Sequence, residues 1–461
     1  MPQTSSVLSA SEFDKRYNII DDYAPRHVAM RGHYKKSFAY YTLRERLPVI
    51  LTSVIDNLTK DKDELTDRFG KPVREEIKTV VGKLSKLKYQ LQTDKRFEEF
   101  IGNEPDRQVW NEFLNSLPPE NRTFFNACWL YAECYMYRKI RSFFEATATL
   151  NTYDYFCKQK QNALTCCLDT LEAVAICTRN TTKDLETFSR LIKLNLWGNR
   201  CDLSISAGKE IKQTGNQFEL IQSFDSNILI NQTLDIWECI LNADTNKPII
   251  IDYVCDNAGY ELFTDLLLAD YIIQHKLAQK IRFNVKAIPW FISDVTPEDF
   301  EWTLKFLQEQ NSAVLNNLAK KWRGYLSEGK FELAPADHFW TSPYEFYQMY
   351  IINPELYTQL REARLIIFKG DLNYRKLLSD FTWDPSEEFI TCLRGFQPTN
   401  LCTLRTIKAD LICGLEVDVA HTLTKKQGNW MTTGEYGVIQ FMASDGCECF
   451  INSEDQNNGI L

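Results

Sequence analysis

The chain has 461 residues, of which 44% are hydrophobic and 25% are charged. This length exceeds what one simple core usually holds, so we expect two or three domains or subdomains. The net charge is −9 and no basic block is present, which argues against nucleic acid as the main ligand. No run reaches the roughly 18 apolar residues of a membrane helix. We therefore expect no membrane association and predict a cytoplasmic protein, with the nucleus left open as an additional compartment.

Helical periodicity dominates the first part of the chain. Apolar residues recur at intervals of three and four in a series of segments, which is the spacing of amphipathic helices. We therefore predict a helical N-terminal domain or cap over residues 1–195. The segments that carry this pattern are 38–58, 64–89, 110–117, 126–144, 162–178 and 182–196.

After residue 197 the pattern changes to alternating strand and helix signals. Thr296 is a predicted N-cap, and Pro297 follows at the first helical position. Such alternation requires crossover connections and predicts an α/β domain over residues 196–461 with a largely parallel sheet. The predicted strands are 249–255, 281–291, 364–368, 401–411 and 436–442, and the predicted helices are 260–275, 297–308, 354–363 and one that opens at 374.

Acidic and amide side chains follow two of these strands. Asp256 and Asn257 come directly after the strand 249–255, and Asp294 ends the next strand-like run. Glu261 and Asp265 are spaced i, i+4, so both could face the same crevice. Carboxylates with no basic neighbour in sequence repel one another unless a cation lies between them, which favours a Mg²⁺ or Mn²⁺ site. The alternative is ordinary helix capping by Asp and Asn.

Two further segments carry positive charge. In the segment 369–375 a glycine separates Lys369 from a helix start, and helix N-termini bind anions. Arg405 and Lys408 lie three residues apart and could converge in a turn. The alternatives are a capped turn and a solvated pair. Asn199 and Asp202, at the presumed domain junction, either line a cleft or cap a turn.

Together these segments resemble the metal-dependent damage-control phosphatases, a family first described as a domain of unknown function. The resemblance rests on segments 256–261 and 369–374, on Asp294, and on Arg405-Thr406-Ile407-Lys408. The last segment looks like the RTxK signature of subfamily III, whose members act on sugar phosphates. Trp197-Gly198-Asn199 and Asp202 also fit.

The resemblance implies a three-layer α/β/α catalytic domain next to the helical one. It also implies Mn²⁺, Co²⁺, Ni²⁺ or Mg²⁺ held by Asp256, Asn257 and Asp294, with fructose 1-phosphate and fructose 6-phosphate as substrates. Lys369, Arg405, Asn199 and Asp202 are secondary candidates for the site. The substrate contacts that it implies are Asp256, Asn257, Glu261, Asp294, Asp371, Leu372, Asn373, Tyr374, Arg375 and Lys408.

Our primary hypothesis is hydrolysis of a small phosphomonoester, with Asp256, Asp294 and Lys408 as catalytic residues. Either water or Asp256 attacks phosphorus in this hypothesis. The resemblance motivates a second hypothesis, methyl transfer from S-adenosylmethionine to protein carboxylates, because members of the subfamily are also described as protein-glutamate methyltransferases. No Gly-rich loop follows a strand in support of it. A third hypothesis is a non-catalytic protein that binds a partner and keeps a vestigial metal site; the sequence predicts no particular partner.

Overall fold

The computed structural model describes residues 10–206, 222–243 and 246–444, with the backbone alone for residues 10 and 199–206. Helices dominate up to residue 206, as the periodicity predicts. The predicted helix 64–89 is divided in two, because Gly70 has a φ of +87° and Pro72 follows it. The helices are Ala10–Arg16, Phe38–Tyr41, Leu47–Lys60, Lys62–Phe69, Val73–Gln92, Arg107–Ser116, Trp129–Glu145, Cys157–Thr165, Leu168–Cys177 and Leu185–Ser206.

A mostly parallel sheet forms the second part, which confirms the predicted α/β fold. The strands are β1 (Ile228–Asn231), β2 (Ile250–Val254), β3 (Lys280–Asn284), β4 (Phe331–Leu333), β5 (Leu365–Lys369), β6 (Leu401–Thr406) and β7 (Gly437–Met442). Their order in the sheet is β1-β7-β6-β5-β2-β3-β4, and among the described residues only the β6–β7 pair is antiparallel. The helices of this part are Thr233–Leu241, Tyr260–Gln274, Pro297–Gln308, Ala313–Ser327, Met349–Ile352, Pro354–Arg361, Gly370–Leu377, Phe389–Cys392 and Val419–Lys426.

Helices cover both faces of the sheet, as the predicted three-layer arrangement requires. Along β5, Ile366 and Phe368 join one apolar core with the N-terminal helices, and Leu365 and Ile367 join a second core on the opposite face. This alternation follows from the two-residue period of a strand. The helix Leu185–Ser206 runs through the predicted boundary at residue 195 and packs in the second core. The division into two domains at that residue stays a prediction.

Two predicted strands are too long. β3 ends at Asn284 rather than at 291, because Pro289 cannot donate to a strand ladder and the chain turns back at Phe291 and Ile292 with positive φ. β6 ends at Thr406 rather than at 411. The side chain of Arg405, near the end of this strand, binds the loop that follows. The sequence pattern predicts neither the helix Ala313–Ser327 nor β4.

The order of the strands places a topological switch point between β2 and β5. From β2 the chain moves outward through β3 to β4, and it then returns to the other side of β2 to form β5 and β6. Crossovers on the two sides diverge at such a point, which leaves a crevice beyond the carboxyl ends of the strands. Asp256 follows β2 and Asp371 follows β5, so both lie at this crevice.

A buried ion network joins the helical layer to the sheet. Arg375 binds Glu133 of the helix Trp129–Glu145 at 2.5 Å and Asp380 at 2.7 Å. Asp380 also accepts the backbone N–H of Leu130 at 2.7 Å, and the Arg375 guanidinium lies 3.5 Å from the Trp129 ring centroid. The network therefore links residues more than 200 positions apart. No helix within the described ranges is long and apolar enough to span a bilayer.

We expect Asp380→Ala to lower the free energy of unfolding by about 3–5 kcal/mol, because it leaves Arg375 buried with one partner fewer. Urea denaturation followed by tryptophan fluorescence measures the change. Asp67→Ala, on an exposed face of the helix Lys62–Phe69, is the control and should stay within about 0.5 kcal/mol of the parent. If Asp380→Ala is as stable as Asp67→Ala, the network does not stabilise the contact between the layers.

Candidate active site

A cavity of about 750 Å³ lies between the helical layer and the carboxyl ends of the central strands. Its floor includes the side chains that follow β2 and β5 and the loop after β3. Its opposite wall comes from the N-terminal helices and is partly aromatic. The wall residues are Phe38, Ile50, Trp129 and Tyr137, and Phe291 and Ile292 from the loop after β3 also line the cavity.

Asp256 and Gly370 are in direct contact at the switch point. Gly370 has a φ of +80°, and a Cβ built on it would lie 1.9 Å from Oδ2 of Asp256. Only glycine leaves room for the carboxylate there, and only glycine adopts this backbone conformation without strain. The glycine that separates Lys369 from the helix start therefore leaves room for the Asp256 carboxylate.

Asp294 reaches the same cavity by a route that differs from the prediction. It lies on a returning loop, ten residues beyond the end of β3. Backbone hydrogen bonds fasten this loop to the segment after β2: the N–H of Val295 donates to Asp256 at 2.9 Å, and the N–H of Ala258 donates to Ser293 at 2.8 Å. The antiparallel bridge between Asn257 and Asp294 completes the attachment.

The loop bends sharply just before Asp294. Phe291 and Ile292 have φ values of +42° and +73°, which are uncommon for residues with side chains and most unfavourable for a β-branched one. Such conformations persist where the surrounding structure fixes them, often at functional sites. Here the Phe291 ring stacks on Tyr137 of the helical layer at 4.6 Å.

Asn257 connects the acidic groups of the floor. Its side-chain amide donates to Asp256 Oδ2 and to Glu261 Oε2, both at 2.8 Å, and its carbonyl oxygen accepts from the Ser293 hydroxyl. The amide oxygen has a second lone pair, so it can still ligate a cation.

Burial keeps the two carboxyl groups of the floor from ionising easily. It raises the pKa of Asp256 well above its usual value, and the neighbouring charges of Glu261 and Asp294 raise it further. Burial also raises the pKa of Asp294 to about 7, against the charge of Lys286. A divalent cation between the two groups would relieve this penalty.

Lysines from the strand ends compensate part of the negative charge of these acids. Lys369 Nζ lies 2.6 Å from Asp265 and 3.2 Å from Glu261, and Lys286 Nζ lies 3.6 Å from Asp294. Asp265 is fully buried and does not line the cavity, unlike Glu261. The acids have no basic neighbour along the sequence, but the fold brings Lys369 and Lys286 close to them.

The segment after β5 divides into residues that face the cavity and residues that lie behind it. Asp371, Leu372 and Arg375 line the cavity. Asn373 donates to the carbonyl oxygens of Val254, Cys255 and Lys369, and the Tyr374 hydroxyl donates to Gln440 at 2.8 Å. Neither of these two side chains lines the cavity, so their contact with a substrate stays a prediction.

Arg405 holds the loop that presents Lys408. Its guanidinium binds Asp371 at 2.7 Å and the carbonyl oxygens of Ala409 and Leu411, and it is fully buried. Lys408 lines the cavity, and its backbone N–H donates to the same Asp371 carboxylate. Burial lowers the pKa of Lys408, while Glu261 and Asp256 raise it. The two cations of this motif therefore differ, since Arg405 is structural and Lys408 faces the cavity.

Gly198 explains the close packing at the presumed domain junction. A Cβ on this residue would lie 2.8 Å from the Thr264 hydroxyl and 3.3 Å from the Cα of Glu261. The glycine lets the helix Leu185–Ser206 approach the residues that carry Glu261. Asn199 and Asp202 lie in the last turns of that helix, and their side chains fall outside the described residues.

Several charged residues around the site carry no prediction from the sequence, namely Arg46, Glu133, Lys160 and Lys286. The first three come from the helical layer, where nothing in the local sequence indicates that they face the sheet. Lys286 follows β3 by two residues, so the strand-end argument that found Asp256 applies to it as well.

Comparison with known proteins identifies the family. A family model for the damage-control phosphatase ARMT1-like domain matches residues 42–423 of the chain. The chain belongs to this family. It is 39% identical to "Damage-control phosphatase ARMT1" of Danio rerio, with 90% of this chain and 96% of that protein covered. The protein of the same name from Homo sapiens is 35% identical, with 90% and 98% covered.

A solved structure of a DUF89 family protein from Pyrococcus horikoshii is also similar to this chain. The TM-score is 0.40 at 18% identity, and the match covers 68% of this chain and 90% of that one.

We expect Gly370→Ala to lower the free energy of unfolding by about 1–3 kcal/mol, because it combines an unfavourable φ with a clash against Asp256. Gly82→Ala is the matched control, since a methyl group on Gly82 would meet no atom within 4 Å and the residue lies inside the helix Val73–Gln92. The control should be neutral or more stable, by up to about 1 kcal/mol. Chemical denaturation measures both, and an unchanged Gly370→Ala protein would refute the contact.

Proposed function

We propose that this protein is a metal-dependent phosphatase of small sugar phosphates, with fructose 1-phosphate and fructose 6-phosphate as representative substrates. The observation that carries the proposal is the meeting of Asp256, Asn257, Asp294 and Lys408 around one cavity at the switch point of the sheet. The family membership supports phosphatase chemistry, and the chemistry of these residues supports the metal and the anionic substrate.

The oxygen donors of the floor fit a hard divalent cation. Oδ2 of Asp294 is buried and lies 3.6 Å from Lys286 Nζ, but it accepts no hydrogen bond from the described residues. Among the described residues, no three His, Cys, Asp or Glu side chains cluster as a metal site. The ligand set we propose therefore has two carboxylates, Asp256 and Asp294, and the amide oxygen of Asn257. Such oxygen sets suit Mg²⁺ or Mn²⁺, which keep further positions for water and substrate.

The protein's own groups divide the remaining work. When bound, the cation would polarise a phosphoryl oxygen. Lys408 would neutralise the negative charge that develops on the phosphoryl oxygens. Because Lys408 lines the cavity, its positive charge acts more strongly there than it would in water. The N-terminal amides of the helix Gly370–Leu377 would favour the same anion. The aromatic wall would exclude water from the side of the substrate that faces the N-terminal helices.

Removal of a metal ligand should abolish turnover. We expect Asp256→Ala and Asp294→Ala to lower metal-dependent phosphate release from fructose 1-phosphate by at least about 100-fold, because the cation loses a charged ligand. The assay uses protein stripped with EDTA, restored with Mn²⁺, Co²⁺, Ni²⁺ or Mg²⁺, and a panel of sugar phosphates.

The control for this assay is Asp67→Ala, which removes an exposed carboxylate outside the cavity. It should retain the parent activity with every metal. Near-normal release by Asp256→Ala or Asp294→Ala would overturn the metal assignment, and absence of release by the parent with any metal and any sugar phosphate would overturn the proposed function.

Lys408 should act on catalysis more than on stability. We expect Lys408→Met, which keeps most of the aliphatic stem, to lower kcat by about 10²–10³. Lys425→Met, in the last turn of the exposed helix Val419–Lys426, is the matched control and should leave kcat unchanged. Steady-state kinetics at saturating metal measures both variants, and an unchanged kcat for Lys408→Met would remove this residue from the site.

A further inference from the structure

Arg46 differs from the other cations of the cavity wall. Lys160 and Arg375 each bind two carboxylates, Lys160 through Asp154 and Asp299, and Arg375 through the network described above. Arg46 lines the same cavity, is exposed to it, and has no carboxylate oxygen within 4 Å among the described residues. Its guanidinium lies over the Phe38 ring, 5.6 Å from the centroid, so an aromatic face rather than an acid holds it.

An irregular helical turn determines where Arg46 points. The residues Thr42–Arg46 form a π-helical turn between two α-helical segments, and the N–H of Leu47 donates to the carbonyl oxygen of Thr42. Pro48 explains this turn: it has no N–H, and its ring would clash with the carbonyl group four residues before it in a regular helix. The wide turn restarts the helix at Leu47, so that Pro48 falls in a first turn, where proline is tolerated. Single π turns of this kind are frequent at functional sites.

The charges of the cavity leave a place for this cation. The floor presents Asp256, Asp294 and Glu261. Lys286 and Lys369 lie behind the floor and offset part of this negative charge, and Lys160 and Lys408 line the cavity itself. A phosphomonoester brings up to two more negative charges into this space. Arg46 acts on the groups that line it, since its charge contributes to the lowered pKa of Lys408 and opposes the raised pKa of Glu133. Both effects agree with a guanidinium that faces the space above the floor.

We propose that Arg46 binds the phosphoryl group of the substrate from the helical layer, on the side of the cavity opposite the metal ligands. The proposal rests on the proposed phosphatase function and assigns the helical layer a direct part in it. A guanidinium suits the role because its planar fork donates two parallel hydrogen bonds to phosphoryl oxygens and stays charged at any relevant pH. The bound phosphoryl group would then lie between a cation from each layer.

The test compares Arg46→Ala and Arg46→Lys with Arg68→Ala. Arg68 is a matched control, because it is exposed, its guanidinium lies 4.8 Å from the Phe69 ring centroid, and it does not line the cavity. We expect Arg46→Ala to lower kcat/KM for fructose 1-phosphate by about 10- to 100-fold, the range for a lost hydrogen bond to a charged group. Arg46→Lys should recover part of this loss, and Arg68→Ala should show none.

A second readout does not depend on turnover. Inorganic phosphate, the product, should inhibit or bind the Mn²⁺-loaded protein about 10- to 100-fold more weakly after Arg46→Ala, and added guanidinium ion should restore part of the activity of this variant. A merely structural role for Arg46 would lower stability without either effect. Equal phosphate affinity in the parent and in Arg46→Ala, with kcat/KM unchanged, would overturn the proposal.

The outcomes also separate this proposal from the proposed function. If the parent releases no phosphate from any sugar phosphate, the proposed function fails, and phosphate affinity still reports on Arg46. If Asp256→Ala abolishes release while Arg46→Ala leaves both kcat/KM and phosphate affinity intact, the phosphatase function stands and the role of Arg46 is refuted.

Discussion

The floor of the cavity depends on one constraint, which is that several carboxylates are buried side by side at the ends of parallel strands. Burial penalises each negative charge, and proximity penalises each pair. Lys286 and Lys369, which come from the ends of β3 and β5, lie close enough to offset part of this cost. They do not offset all of it, because Asp256 and Asp294 keep raised pKa values. The lysines of the protein therefore compensate the negative charge of this site only in part.

The helical layer follows the same rule on the other side of the cavity. Several of its buried charges are paired across to the other part of the chain, as Glu133 is with Arg375 and Lys160 is with Asp299. These ion pairs hold the two layers together beside the cavity. The aromatic residues between the pairs complete the wall. The site thus belongs to neither layer alone.

The sequence predicts the fold class and the ends of β2, β5 and β7 well, because both follow from local periodicity and from the residues next to it. It locates Asp256 and Asn257 for this reason. It fails where position depends on the crossing of distant segments. Local sequence could not show that β5 returns beside β2, that Lys369 neutralises Asp265, or that a helix far upstream presents Arg46. The predicted length of the strand 281–291 is wrong for another reason, because the apolar residues after Asn284 pack in a loop rather than in the sheet.

The returning loop after β3 has a consequence for how this chain can vary. The segment between Asn284 and Asp294 must reach the end of β2 in antiparallel register, and it is fastened there by backbone hydrogen bonds on both sides of Asn257. A shift of such a pairing by one residue turns the paired side chains to the opposite face. The segment between Asn284 and Asp294 therefore has to keep this register, because a one-residue shift would turn Asp294 away from the cavity.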